Sequence, residues 1–158
     1  SCGVHVHIDF SATTEEDQRA LFKFAKAFES QVFELVAPSR RENSYCKKLP
    51  GRMTFRDRYR WLNFAALREF GTVEVRLHQG STSAIRIAMW VRLMLRLVEA
   101  GVRQGRQRIT SSRSLFDVLD LSSRERVYWT ARRNRFIRDE QERQQRVQPA
   151  PQPAPVEA

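Results

Sequence analysis

The sequence predicts a mixed α+β fold, with short strands and longer helices, and three observations predict it. Val4-His5-Val6-His7-Ile8-Asp9 and Thr72-Val73-Glu74-Val75-Arg76-Leu77-His78 alternate strictly between apolar and polar residues, the period of a half-buried strand. Apolar residues recur at helical spacing after the first of these, and an almost wholly apolar stretch of helical length follows the second. Pro38, Gly71 and Gly80 punctuate the chain where one pattern gives way to the next.

In the first strand, His5, His7 and Asp9 share one face, and Val4, Val6, Ile8 and Phe10 the other. Thr13 with Glu16 has the capping-box spacing. Leu21, Phe24, Ala25, Phe28, Val32, Leu35 and Val36 then predict one helix over 14–36, ended by Pro38. Residues 38–58 read as a long basic loop, a kind of segment that commonly carries function. Arg58–Phe64 alternates and predicts a strand or an extended approach to one. The strand over 72–78 places Thr72, Glu74, Arg76 and His78 on one face, with Val73, Val75 and Leu77 behind. Gly80-Ser81-Thr82-Ser83 caps a helix over 84–103, apolar nearly all round and so expected to be buried on most sides. A short helix over 112–119 and a last one over 123–146, opened by Ser122 and Glu125, complete the set. The proline-rich residues 147–158 lack core formers and are expected to be disordered.

The net charge is +10, carried by 24 arginines and four lysines. Half of the arginines lie from Arg103 onward, so the basic excess sits partly outside the two strands. It reads as a solvated helix face or as phosphate-neutralising surface for nucleic acid. Ser1 is followed by neither a basic n-region nor an apolar h-region, and Arg86, Arg92, Arg96 and Glu99 interrupt the longest apolar stretch. No secretory leader and no membrane span are therefore expected, and a reducing cytoplasm is the expected location. Two cysteines, Cys2 and Cys46, make no disulfide framework. Cys2 with His5 and His7 has no common zinc spacing.

All three histidines, two carboxylates and an arginine crowd the polar strand faces. Glu74 is the best ligand for a Mg²⁺-like ion, which prefers carboxylate oxygen and bridges to phosphates, and His5 is a second donor that suits Mn²⁺ equally. Arg76, two residues along, can hold a phosphate or carboxylate bidentately, as can Arg58 and Arg60 from their own segment. Each has a plainer reading: a structural histidine, a cross-strand Glu74–Arg76 ion pair, an arginine packed on a ring. No glycine-rich phosphate loop, HExxH or GxSxG motif is present, and neither cysteine sits in a nucleophile motif.

Cys2-Gly3-Val4-His5-Val6-His7-Ile8-Asp9, the Ser39-Arg40-Arg41 to Tyr45-Cys46 stretch, and Arg58-Tyr59-Arg60-Trp61-Leu62-Asn63-Phe64 followed by Gly71 to Ser81 resemble the amidoligase family. That family belongs to the carboxylate–amine ligase superfamily, with glutamine synthetase and glutamate–cysteine ligase. The resemblance runs from residue 2 to about 100. It implies an antiparallel sheet with helices on one face, a glutamine synthetase-like catalytic fold whose concave face holds ATP with Mg²⁺ or Mn²⁺. By the same resemblance, His5 and Glu74 look like metal ligands and His7 like a nucleotide-phosphate contact. Arg76 looks like a contact to the substrate carboxylate or transferring phosphoryl group, and Arg58, Arg60 and Arg40 like phosphate-binding arginines. The activity implied is ATP-dependent amide formation through an acyl phosphate, on a small-molecule, peptide, cell-wall peptide or protein substrate.

One departure stands out. Superfamily members carry an early strand with paired glutamates, and none precedes Ser1. The expectation is therefore a chain incomplete at its N-terminus and inactive alone: residues 1–104 the C-terminal part of the catalytic domain, 105–146 a basic helical extension, 147–158 a tail. A nucleic-acid-binding module and an inactive ligase-fold scaffold are the competing readings.

Overall fold

The computed structural model describes residues 3–109 and 112–147, so Cys2 and the proline-rich tail lie outside the described residues. Strands β1 (Gly3–Asp9), β2 (Leu62–Asn63) and β3 (Thr72–Gln79) form one antiparallel sheet in the order β1-β3-β2. The helices are α1 (Glu15–Ala27), α2 (Glu29–Phe33), α3 (Pro38–Arg41), α4 (Ala66–Phe70), α5 (Ala84–Gln104), α6 (Leu115–Val118) and α7 (Ser123–Val147). The mixed helix–strand class and the antiparallel sheet hold, although the sheet is small and open.

Val6, Ile8, Val73 and Val75 turn one face of the sheet into the core, where α5 lies on β1 and α1 lies on α5. Leu115, Phe116 and Trp129 belong to the same core, so α6 and the first half of α7 pack with the strands. The helix pair α1 and α5 touches closely at Gly105. A Cβ there would stand 2.0 Å from the Ala20 carbonyl oxygen.

Strict alternation fails in β3, and the failure has a definite cause. His7 pairs with Glu74 and Val6 with Val75, but Val4 pairs with His78, so β3 carries one extra residue at this point. Directly opposed residues share a face. The bulge therefore turns His78 to the side of Val4 and Val6, away from Glu74. There His78 is 0 % exposed, with its ring centroid 5.1 Å from that of Trp90. Burial lowers its pKa to about 4, against the raising effect of its bond to the Gln79 carbonyl and with help from the Arg132 charge. The neutral ring donates from Nδ1 to that carbonyl at 2.6 Å, leaving Nε2 to accept from Arg132 at 3.2 Å. Arg40, only 5 % exposed, props the bulge from α3: Nε donates to the Leu77 carbonyl at 3.1 Å and a terminal nitrogen to the Arg76 carbonyl at 2.7 Å.

Other expectations need correction. The single helix over 14–36 breaks at Phe28 into α1 and α2, which turns Glu29 inward to accept from Leu49 N and Trp61 Nε1. The capping box is Thr14–Asp17, because the Thr13 hydroxyl is spent on the Phe10 carbonyl. Arg58–Phe64 yields only β2 and a parallel bridge between Lys47 and Arg60. The expected loop contains α3, and α4 ends at Gly71, whose φ of +65° suits glycine. Helix α5 buries one stripe, Trp90 through Gly101, rather than most sides. The sheet, α1 and α7 cover only that stripe, and Ile85 remains 70 % exposed.

Candidate functional site

Glu74 sits in the middle of β3, opposite His7 of β1 and Asn63 of β2, so all three strands converge on its carboxylate. Its Oε2 accepts from Asn63 Nδ2 at 2.7 Å, and its Oε1 accepts from an Arg76 terminal nitrogen at 2.8 Å. The same Oε1 lies 2.9 Å from His5 Nδ1 and 3.7 Å from His7 Nε2. Burial alone would raise the Glu74 pKa. The bonds from Asn63 and Arg76, with the Arg76 charge, outweigh it and hold the carboxyl below its ordinary value. An ionised carboxylate only accepts, so His5 presents Nδ1–H to it and keeps its Nε2 lone pair uncommitted. Burial and then the Arg76 charge lower the His5 pKa, against the opposing pull of Glu74, which favours the neutral ring.

Glu74, Arg76, His7 and Asn63 line a cleft of about 310 Å³, which Arg56 and Arg58 of the basic loop and Glu69 and Phe70 of α4 complete. His7 is held on its other side by Thr72 Oγ1 at 2.8 Å and by the edge of Phe70. Arg76 Nε donates to the Tyr45 carbonyl at 3.2 Å, which ties the basic loop to the sheet. Arg58 is exposed at the cleft, its guanidinium 5.4 Å from the Tyr59 ring.

Of the residues singled out from sequence, His7, Glu74, Arg76 and Arg58 line the cleft, and His5 reaches Glu74 without lining it. Arg60 does not line the cleft: its Nε lies 2.7 Å from Asp57 and a terminal nitrogen donates to the Lys48 carbonyl. Arg40 lies behind β3 on the bulge carbonyls. Asp9, on the His5 face, is exposed and bonded to Ser11. Cys46 is buried, and burial pushes its thiol pKa up, which disfavours a thiolate nucleophile. Sequence reasoning gave Asn63 no role, although it is the residue that clamps Glu74. It also missed Glu69 and Phe70, for which Gly71 as a helix-ending glycine was the available signal.

Among the described residues, no group of three His, Cys, Asp or Glu side chains is arranged to hold a metal ion. His5 and Glu74 nevertheless suit a cation that takes its other ligands from water and phosphate, the common habit of Mg²⁺. Arg76 on the same carboxylate oxygen disfavours a resident ion there without accompanying anions. No helix of the described residues is long and apolar enough to cross a membrane.

No curated protein and no solved structure matches the chain. The model of one family, described as "Putative amidoligase enzyme", matches residues 1–57, a segment that holds His5, His7 and Arg40 and stops short of Arg58, Glu74 and Arg76. Over those 57 of 158 residues the chain is similar to the amidoligase family, which points to an enzyme of ligase type.

Proposed function

We propose that this protein is an ATP-dependent carboxylate–amine ligase that works through an acyl phosphate on a glutamine synthetase-like framework. The observation that carries the reading is the convergence of His5, His7, Asn63, Glu74 and Arg76 from three strands beside a cleft flanked by Arg56 and Arg58. In this reaction a substrate carboxylate oxygen attacks the γ-phosphorus of ATP and the bond to ADP breaks. The lone pair of an amine then attacks the acyl carbon, inorganic phosphate leaves, and the nitrogen loses a proton to give the amide. Negative charge spreads over the phosphoryl oxygens on the way, and preorganised guanidinium groups stabilise such charge. Arg58 and Arg76 are the groups for that task, with His7 beside them as a phosphate contact. His5 and Glu74 would hold Mg²⁺ or Mn²⁺, which would neutralise phosphate charge. Asn63 keeps the Glu74 carboxylate aimed and ionised.

The substrates are a carboxylate and an amine of a small molecule, peptide or protein. The test is equilibrium binding of Mg·ATP, followed by trapping of the acyl phosphate with hydroxylamine as its hydroxamate. Glu74→Gln is expected to weaken Mg·ATP binding about tenfold and to lower hydroxamate yield on the order of 100-fold. Equal binding and yield in wild type and Glu74→Gln would overturn the reading. Two of the eight α7 arginines are held by the protein itself, Arg126 on Asp117 and two carbonyls and Arg133 on Glu34, which leaves them out of a phosphate-binding surface.

A further inference from the structure

We infer a second binding site, on the helical side of the sheet, for a small amphiphilic anion: an apolar body carrying a carboxylate or phosphate. The first turn of α5 and the first half of α7 line an open surface depression of about 390 Å³, comparable in volume to small-molecule sites. Ile85, Val127 and Ala131 form its floor, and Ile85 and Val127 stay 70 % and 71 % exposed although both are apolar. Arg86, Arg132 and Arg135 form its rim, and no carboxylate lines it.

The contrast with neighbouring arginines carries the inference. Arg92 and Arg96 lie against Glu125, Arg126 against Asp117, Arg133 against Glu34 and Arg41 against Glu140. Among the described residues Arg86 has no ion pair, Arg132 meets the neutral His78, the Leu35 carbonyl and the Phe136 ring but no carboxylate, and Arg135 reaches Asp139 at 3.9 Å. Arg86 and Arg132 thus face the site with no carboxylate partner, and Arg135 beside them has only a long contact to Asp139. Burial lowers the Arg132 pKa, Tyr128 opposes it, and the Arg86 and Arg135 charges lower it further. Arg86 also stands in a helix first turn that holds no acidic residue, against the usual preference for negative charge there. A second depression, of about 370 Å³, continues from the shared Ser83 and Arg86. The apolar floor favours an amphiphile over a nucleic-acid backbone, which would meet cations alone.

The probe is anilinonaphthalene sulfonate, an aromatic anion whose fluorescence rises in apolar sites, titrated into the full chain. Octanoate is expected to displace it, while octylamine and acetate do not. Arg86→Glu and Val127→Glu, both at exposed positions, are each expected to weaken binding about tenfold. Arg124→Glu makes the same charge change on α7 outside the depression and is expected to leave binding within about twofold. Circular dichroism checks that each variant folds. Equal weakening by Arg86→Glu and Arg124→Glu, displacement by octylamine as readily as by octanoate, or displacement by duplex DNA but not by octanoate would each overturn the inference.

Discussion

Replacing Arg40 by methionine separates two roles for one buried guanidinium. The family resemblance makes Arg40 a phosphate contact, whereas its place behind β3 makes it the prop of the bulge. Both of its bonds run to backbone carbonyls, at 2.7 Å to Arg76 and 3.1 Å to Leu77. Methionine keeps much of the stem and removes the donors, leaving two buried carbonyls unpartnered at about 1–3 kcal/mol each, or about 3 kcal/mol together after relaxation. With a urea slope of about 2 kcal/mol/M, the unfolding midpoint falls by about 1.5 M. A second readout is the His5 ring, whose pKa is lowered by burial, by Arg76 and also by Arg40. Loss of the Arg40 charge should move it upward in an NMR titration. A midpoint within about 0.2 M of wild type, combined with lost nucleotide binding, would refute the reasoning and make Arg40 a ligand contact.

His78 makes stability depend on pH. Its folded pKa of about 4 lies below the ordinary 6.5, so the stability gained by keeping the ring neutral is fully present above pH 6.5. It is lost as pH falls toward 4, by about 3 kcal/mol over that window. His78→Gln removes this component, and an unchanged pH slope in urea unfolding between pH 7.5 and pH 4.5 would contradict it. Gly105→Ala pushes a methyl group toward the Ala20 carbonyl and should cost about 1–3 kcal/mol, read as a lower Tm; an unchanged Tm would show that α1 and α5 part easily.

The helices announced themselves where composition and caps agreed. The span of α5, the start of α7 at Ser122 and Glu125, and the short helix after Ser114 all followed from local rules. Alternation also found β1 and the apolar face of β3, because burial on one side imposes a period of two. Where local rules met a tertiary demand they lost. The break at Phe28 serves a buried Glu29 whose partners, Leu49 and Trp61, are distant in sequence. The two-residue β2 is set by what fits beside β3, since Asn63 must lie opposite Glu74.

The candidate site divides along the same line. Residue order alone placed His5 and His7 on one face and Glu74 and Arg76 on another, because alternation is a property of an extended backbone. Which faces meet is a matter of register, and register is tertiary. Pairing put His7 against Glu74, brought Asn63 to the same carboxylate from a third strand, and left Arg60 with Asp57. One extra residue in β3, held by Arg40, kept Arg76 at the cleft and sent His78 into the core. Sequence by itself determined the kinds of groups available; the sheet's pairing and its bulge decided which of them share a site.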